Sequence, residues 1–308
     1  MGLDVHGLRL LLEAKRRGVA FDRTLTFGRI ELAVIPSHAA ALLEGEGLPG
    51  DEVAALASLP PSARFAEPVF RSLGAREILS LDASAYQSAS VVHDMNQPIP
   101  EGMKSGFDLL FDGGSIEHVF NFPVAIRNCM ELVKPGGSLL IHTAANNCMG
   151  HGFYQFSPEL FYRVFSAANG YEVVRMILHG SGPLGSWYDV ADPAVIRSRV
   201  ELISFMPTQL LLHARRLSAG PILTTPPQQS DYVTEWDRKA AAQGSASPAH
   251  PSPLGGVLAE WRDAFPRVAG MVRAVRTGLH FYRTQSLWNR TFFKKDPGFR
   301  PRNPTGSA

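Results

Sequence analysis

Apolar positions along this chain fall into two rhythms. Residues 107–111 and 138–143 are short, nearly continuous apolar runs bounded by turn residues, the pattern of parallel strands buried on both faces. Between them, residues 119–133 set Ile126, Met130 and Val133 at helical spacing, flanked by Val124 and Leu132, so one side of a helix covers the sheet. Lys134 stands where a cation favours a helix C-terminus, and Pro135-Gly136-Gly137 stops the helix and turns the chain. The stretch 107–143 therefore predicts strand, acidic-glycine turn, helix, turn and strand, half of a nucleotide-binding α/β sheet.

The same rhythms extend in both directions. Residues 8–17 predict a helix with Leu8, Leu11 and Leu12 on one side, and residues 24–34 a first strand around Gly28. Residues 36–73 carry helical patterns interrupted by Pro49-Gly50 and Pro60-Pro61, without clear bounds. A second strand, 77–81, runs out at Asp82, and a third, 90–92, near Asp94. Ser157-Pro158-Glu159 opens a helix whose apolar face is Leu160, Phe161, Val164 and Phe165. Residues 171–178 and 209–214 read as a closing pair of strands around an insertion at 179–208.

Composition changes after that point. Residues 226–255 are rich in Pro, Ser, Gln, Gly and Ala, and residues 257–290 return to helical patterning with Trp261, Phe265, Val268, Val272 and Val275 expected to pack. From residue 256 onward, ten lysines and arginines face only Glu260, Asp263 and Asp296. The expected organisation is an α/β domain over 1–218, a flexible segment over 219–255 and a basic helical extension over 256–308. That extension fits an amphipathic helix docking on its own domain or on a second subunit, so a homodimer through the C-terminal helix is expected.

A chain of 308 residues is long for one domain and short for two, which suits one elaborated domain with a tail. The formal charge of +2 gives no global case for nucleic-acid binding. Cys129 and Cys148 are the only cysteines, so neither a disulfide scaffold nor a four-cysteine zinc site is present, and a cytoplasmic setting is expected. No run approaches the roughly 20 apolar residues of a membrane span, and His6 breaks the myristoylation pattern after Gly2.

Phe107-Asp108, Ile116-Glu117-His118 and Leu132-Val133-Lys134-Pro135-Gly136-Gly137, in that order and spacing, resemble the fourth-to-fifth-strand segment of class I S-adenosylmethionine-dependent methyltransferases. The resemblance covers residues 22–218. It implies a Rossmann-like, doubly wound, mostly parallel seven-stranded sheet with an antiparallel last strand, here followed by the helical extension. It also implies S-adenosylmethionine as cofactor. Asp82, with Ala83 beside it, takes the place of the ribose-binding acid, and Asp94-Met95 that of the adenine contact. The backbone of Asp112-Gly113-Gly114 falls beside the methionine part. The first strand departs from the family: Phe27-Gly28-Arg29 stands where an acid and a G-x-G-x-G loop are usual, and Arg29 would meet the cofactor carboxylate or pair with Glu31. No G-x-G-x-x-G opens a helix, which argues against a nicotinamide dehydrogenase.

Methyl transfer to oxygen or nitrogen also needs a proton acceptor, and His118, after the fourth strand, is the leading candidate. His151 and Tyr154 lie on the loop expected over the acceptor, with Asn146, Asn147 and Gln155 as further contacts. No H-x-x-x-H or C-x-x-C spacing exists and no metal is read; His151 with Asp94 or Asp112 would gather around a cation only if the fold joined them. The expected activity is methyl transfer to a small-molecule or glycan-like acceptor, at O, N or C. The alternative is a methyltransferase fold that has lost this reaction and binds a nucleotide or partner, or that serves another reaction.

Overall fold

Strand Phe107–Asp112, FDLLFD, is buried at every position and divides its side chains between two cores. Leu110 faces one cluster while Leu109 and Phe111 face the other, as the period of two requires. The computed structural model describes residues 2–48, 50–182, 185–242 and 266–298. In chain order these form α1 (Val5–Arg16), β1 (Arg23–Phe27), α2 (Pro36–Gly45), α3 (Asp51–Ser58), α4 (Glu67–Ser72), β2 (Glu77–Asp82), β3 (Val91–Val92) and β4 (Phe107–Asp112). There follow α5 (Phe122–Leu132), β5 (Val133–Asn146), α6 (Pro158–Val164), β6 (Tyr171–Gly180), β7 (Trp187–Val190), α7 (Pro193–Ile196), β8 (Thr208–Arg216), α8 (Ser230–Ala242), α9 (Pro266–Thr284) and β9 (Phe293–Lys295).

The strands make one sheet in the order β3-β2-β1-β4-β5-β8-β6-β7-β9. Strands β1 to β5 run parallel, and β8 lies antiparallel between β5 and β6. Helices α1 to α4 supply the core on one face, and α5 and α6 the core on the other. This is the expected doubly wound, Rossmann-like sheet, with an antiparallel strand inserted next to the fifth. Beyond the seven expected strands, β7 and β9 extend the far edge, each antiparallel to its neighbour. The strand order reverses between β1 and β4, so the carboxyl ends of β1, β2 and β4 open on one crevice, where ligands of such sheets bind.

Several elements were illegible or different in sequence. Residues 36–73 resolve into α2, α3 and α4, each short because a proline or glycine bounds it. Within the segment expected to be flexible, Ser230–Ala242 is helical, and Ser230 bonds Glu159 through its amide and hydroxyl. Residues 243–255, Trp261 and Phe265 lie outside the described residues. Val268, Val272 and Val275 are exposed rather than packed, because the C-terminal segment enters the core only after α9, through Phe292 and Phe293.

Candidate functional site

A cleft of about 290 Å³ opens at the carboxyl ends of the parallel strands. It is lined by Phe27 and Gly28 after β1, Asp82 and Ala83 after β2, Asp94 to Asn96 after β3, and Gly114, Ser115, His118 and Val119 after β4. Eight of the sixteen residues named in sequence as site candidates meet here: Phe27, Gly28, Asp82, Ala83, Asp94, Met95, Gly114 and His118. Gly28 has φ +75°, and a Cβ there would stand 3.0 Å from Ser115 Oγ, whose hydroxyl donates to the carbonyl of Phe27. That bond ties the β4 turn to the end of β1, and the positive φ at position 28 is one that glycine adopts without strain.

The two acids at strand ends are partly engaged with their own turns. Asp82 Oδ1 accepts from the Ser84 amide at 3.4 Å, and Asp94 Oδ1 accepts from the Asn96 amide and side chain at 2.9 and 2.8 Å. Those two Asn96 bonds hold the Asp94 carboxyl below its ordinary range. Asn96 and Ser115 line the cleft although the sequence reading passed over them; their signal was adjacency to Asp94 and to the Asp112-Gly113-Gly114 turn.

Beneath this turn sit two buried carboxylates. Asp112 accepts from the amides of Gly114, Ser115 and Ile116 at 3.2, 2.8 and 3.3 Å, holding the turn open toward the cleft. Burial, then the nearby Glu117 charge, push the Asp112 carboxyl up to about 8. Gly113 does not face the cleft; a Cβ there would meet Ile30 and Phe111 at 3.1 Å. Glu117 is wholly buried, and its Oε2 accepts from Thr143 Oγ1 at 2.9 Å. Its carbonyl accepts from the amides of Phe153 and Tyr154 at 2.8 and 3.3 Å, clamping the loop after β5 to the turn after β4.

This clamp brings His151 beside His118, ring centroids 5.2 Å apart, and sets His151 Nε2 3.3 Å from Glu117 Oε1. Burial lowers the affinity of His118 for a proton, with Glu117 opposing, which favours the neutral imidazole near neutrality. The other acceptor-side candidates are held elsewhere. Tyr154 donates to the Phe120 carbonyl at 2.6 Å and stacks with Phe156, lining a second cavity with Phe122 and Leu160. Asn146 and Asn147 bond the segment around Ser204, and Gln155 accepts from the Cys148 amide. Arg29 turns out of the cleft: it lies over Phe65, pairs with Glu67 at 2.6 Å and donates to the Gln87 carbonyl. The expected Glu31 pairing fails because Glu31 is taken by Arg64.

No protein-family model matches the sequence, and no curated protein matches it. Among solved structures, the chain is similar to 1,6-didemethyltoxoflavin-N1-methyltransferase of Burkholderia thailandensis, at 13% identity and TM-score 0.36, over 68% of this chain and 78% of that one. It is also similar to the N-methyltransferase NodS of Bradyrhizobium japonicum, at 12% identity and TM-score 0.37, over 69% and 96%. A third is the branched-chain polyamine synthase of Thermus thermophilus, at 14% identity and TM-score 0.34, over 72% and 59%.

Proposed function

We propose that the chain is an S-adenosylmethionine-dependent methyltransferase acting on a small-molecule or glycan-like acceptor. The observation that carries this reading is the convergence of Gly28, Asp82, Asp94 and Gly114, from four separate strand ends, on one cleft at the reversal point of the sheet. Asp82 is poised for the ribose hydroxyls, Asp94 and Met95 for the adenine, and the Gly114 turn for the methionine part. The acceptor's nucleophile displaces the methyl carbon from the sulfonium, so the protein must align the two and take up a proton. His118, at the cleft wall with His151 behind it, is the group placed for that proton.

The reading extends to setting and assembly. No helix among the described residues is long and apolar enough to cross a membrane; together with two free cysteines this fits a cytoplasmic enzyme. The exposed stripe of Met271, Val272, Val275 and Leu279 on α9 is proposed as the homodimer face. Thermal denaturation with S-adenosylmethionine, S-adenosylhomocysteine and NAD tests the cofactor: the first two raise the melting temperature and NAD does not. No shift with either at millimolar concentration overturns the reading and leaves the fold to another ligand.

A further inference from the structure

Three potential ligand groups meet at and behind the His118 wall of the cleft. One oxygen of Glu117 and one nitrogen each of His118 and His151 lie within 4.8 Å of one another. The chain builds this from two separate segments: Glu117 and His118 follow β4, while His151 arrives on the loop after β5, between Gly150 at φ +88° and Gly152 at φ +77°. Gly152 fits because a Cβ there would stand 2.8 Å from the Glu117 carbonyl oxygen. The glycines thus let the loop lie directly against the Glu117 backbone, and the clamp holds His151 over the carboxylate.

The second observation is what these atoms lack. Glu117 Oε1 and His151 Nε2 are 3.3 Å apart but out of hydrogen-bond alignment, and both are buried atoms without a hydrogen-bond partner among the described residues. A buried polar atom left so costs about 1–3 kcal/mol, more when charged. The other carboxylate oxygen is fixed by Thr143, so Glu117 is oriented with its free oxygen toward the two imidazoles.

We propose that Glu117 Oε1, His118 and His151 bind one divalent transition-metal ion, Mn²⁺ to Zn²⁺ in the first row, with its open positions facing the cleft. Two imidazoles and one carboxylate suit these ions, whereas Mg²⁺ and Ca²⁺ prefer oxygen donors. Bonds of about 2.0–2.2 Å require the three atoms to draw in slightly, a rotation within reach of a histidine flanked by glycines. The site stands on its own geometry; its use rests on the methyl-transfer reading. There, the ion would hold an oxygen of the acceptor beside the methyl donor and make that oxygen easier to deprotonate. With the ion bound, His118 would serve as a ligand in place of the base role it has in the metal-free reading, and the proton would leave to solvent.

The test uses the full chain, stripped with a chelator and titrated with CoCl₂, ZnCl₂, MnCl₂ and MgCl₂. Bound metal per chain is counted after desalting, and Co²⁺ is followed by its visible absorption. Wild type should hold one Co²⁺ or Zn²⁺ per chain and discriminate against Mg²⁺. His118→Ala and His151→Ala should each weaken binding beyond the roughly 10–100-fold that loss of an outer hydrogen-bond partner costs. Glu117→Gln should do the same; because it is a core position, His151→Ala on the loop keeps the test independent of folding. No binding by wild type at a tenfold excess, or wild-type affinity in both histidine variants, overturns the proposal. S-adenosylhomocysteine binding is measured on the same wild-type protein: its absence beside intact Co²⁺ binding removes the methyl-transfer reading and keeps the metal site.

Discussion

Gly28 concentrates in one residue what a glycine-rich loop spreads over several. Its φ of +75° and the Ser115 hydroxyl in front of it leave no comfortable place for a side chain. Gly28→Val should cost about 1–3 kcal/mol, the range for a strained backbone position, read as a lowered urea midpoint. Asp82→Ala acts on the ligand instead: it should weaken S-adenosylhomocysteine binding by about 1–3 kcal/mol, the scale of charged hydrogen bonds, with unchanged stability. Calorimetry showing wild-type affinity would remove Asp82 from the ribose role. At this scale the sequence was informative where a residue sits at a strand end, as with Asp82, Asp94 and Gly28. It was silent where side-chain direction decides, since spacing cannot say that Arg29 turns to Glu67 or that Tyr154 points to Phe120.

Between elements, the buried histidines of the closing strands set a pH dependence. His213 on β8 bonds Ser138 on β5, and burial, then Arg17 and Arg215, depress it to about 4. His179 on β6, stacked on His6 and bonded to His142, is depressed to about 2 by burial and by those two rings. Because these pKa values are depressed, the unfolded chain binds protons that the folded chain refuses as pH falls below about 6.5. Stability is therefore full above that pH and declines toward pH 4, with His213 contributing of the order of 3 kcal/mol over the window. His213→Gln should flatten the fall in urea midpoint between pH 7 and pH 4.5; an unchanged slope would exclude His213 as a source. The sequence placed both strands, yet gave no sign that histidines from α1, β5 and β6 would meet, because that contact depends on how layers stack. The same reason hid Glu117, His118 and His151 as a group: the fourth- and fifth-strand loops are adjacent only once the sheet has formed.

Across the whole molecule, Arg175 joins the beginning and end of the described chain. Its guanidinium pairs with Glu13 on α1, Asp189 on β7 and Asp296 just after β9. Removing it takes the shared cation from Asp189 and Asp296 and leaves Glu13 with Arg17 alone, so Arg175→Met should cost up to about 3–5 kcal/mol and expose the segment after α9 to limited proteolysis. Resistance equal to wild type would show that Phe292 and Phe293 alone hold that segment. The strand they anchor also determines how the sheet ends. At one side the sheet stops in the two residues of β3, and at the other in the three of β9, which presents the exposed Lys294 and Lys295. Such short margins, the β9 one also charged, give a neighbouring chain too few unpaired amides and carbonyls to align with. Stacking of copies edge to edge into a continuous sheet is thereby discouraged, and contacts between molecules are steered to helical surfaces.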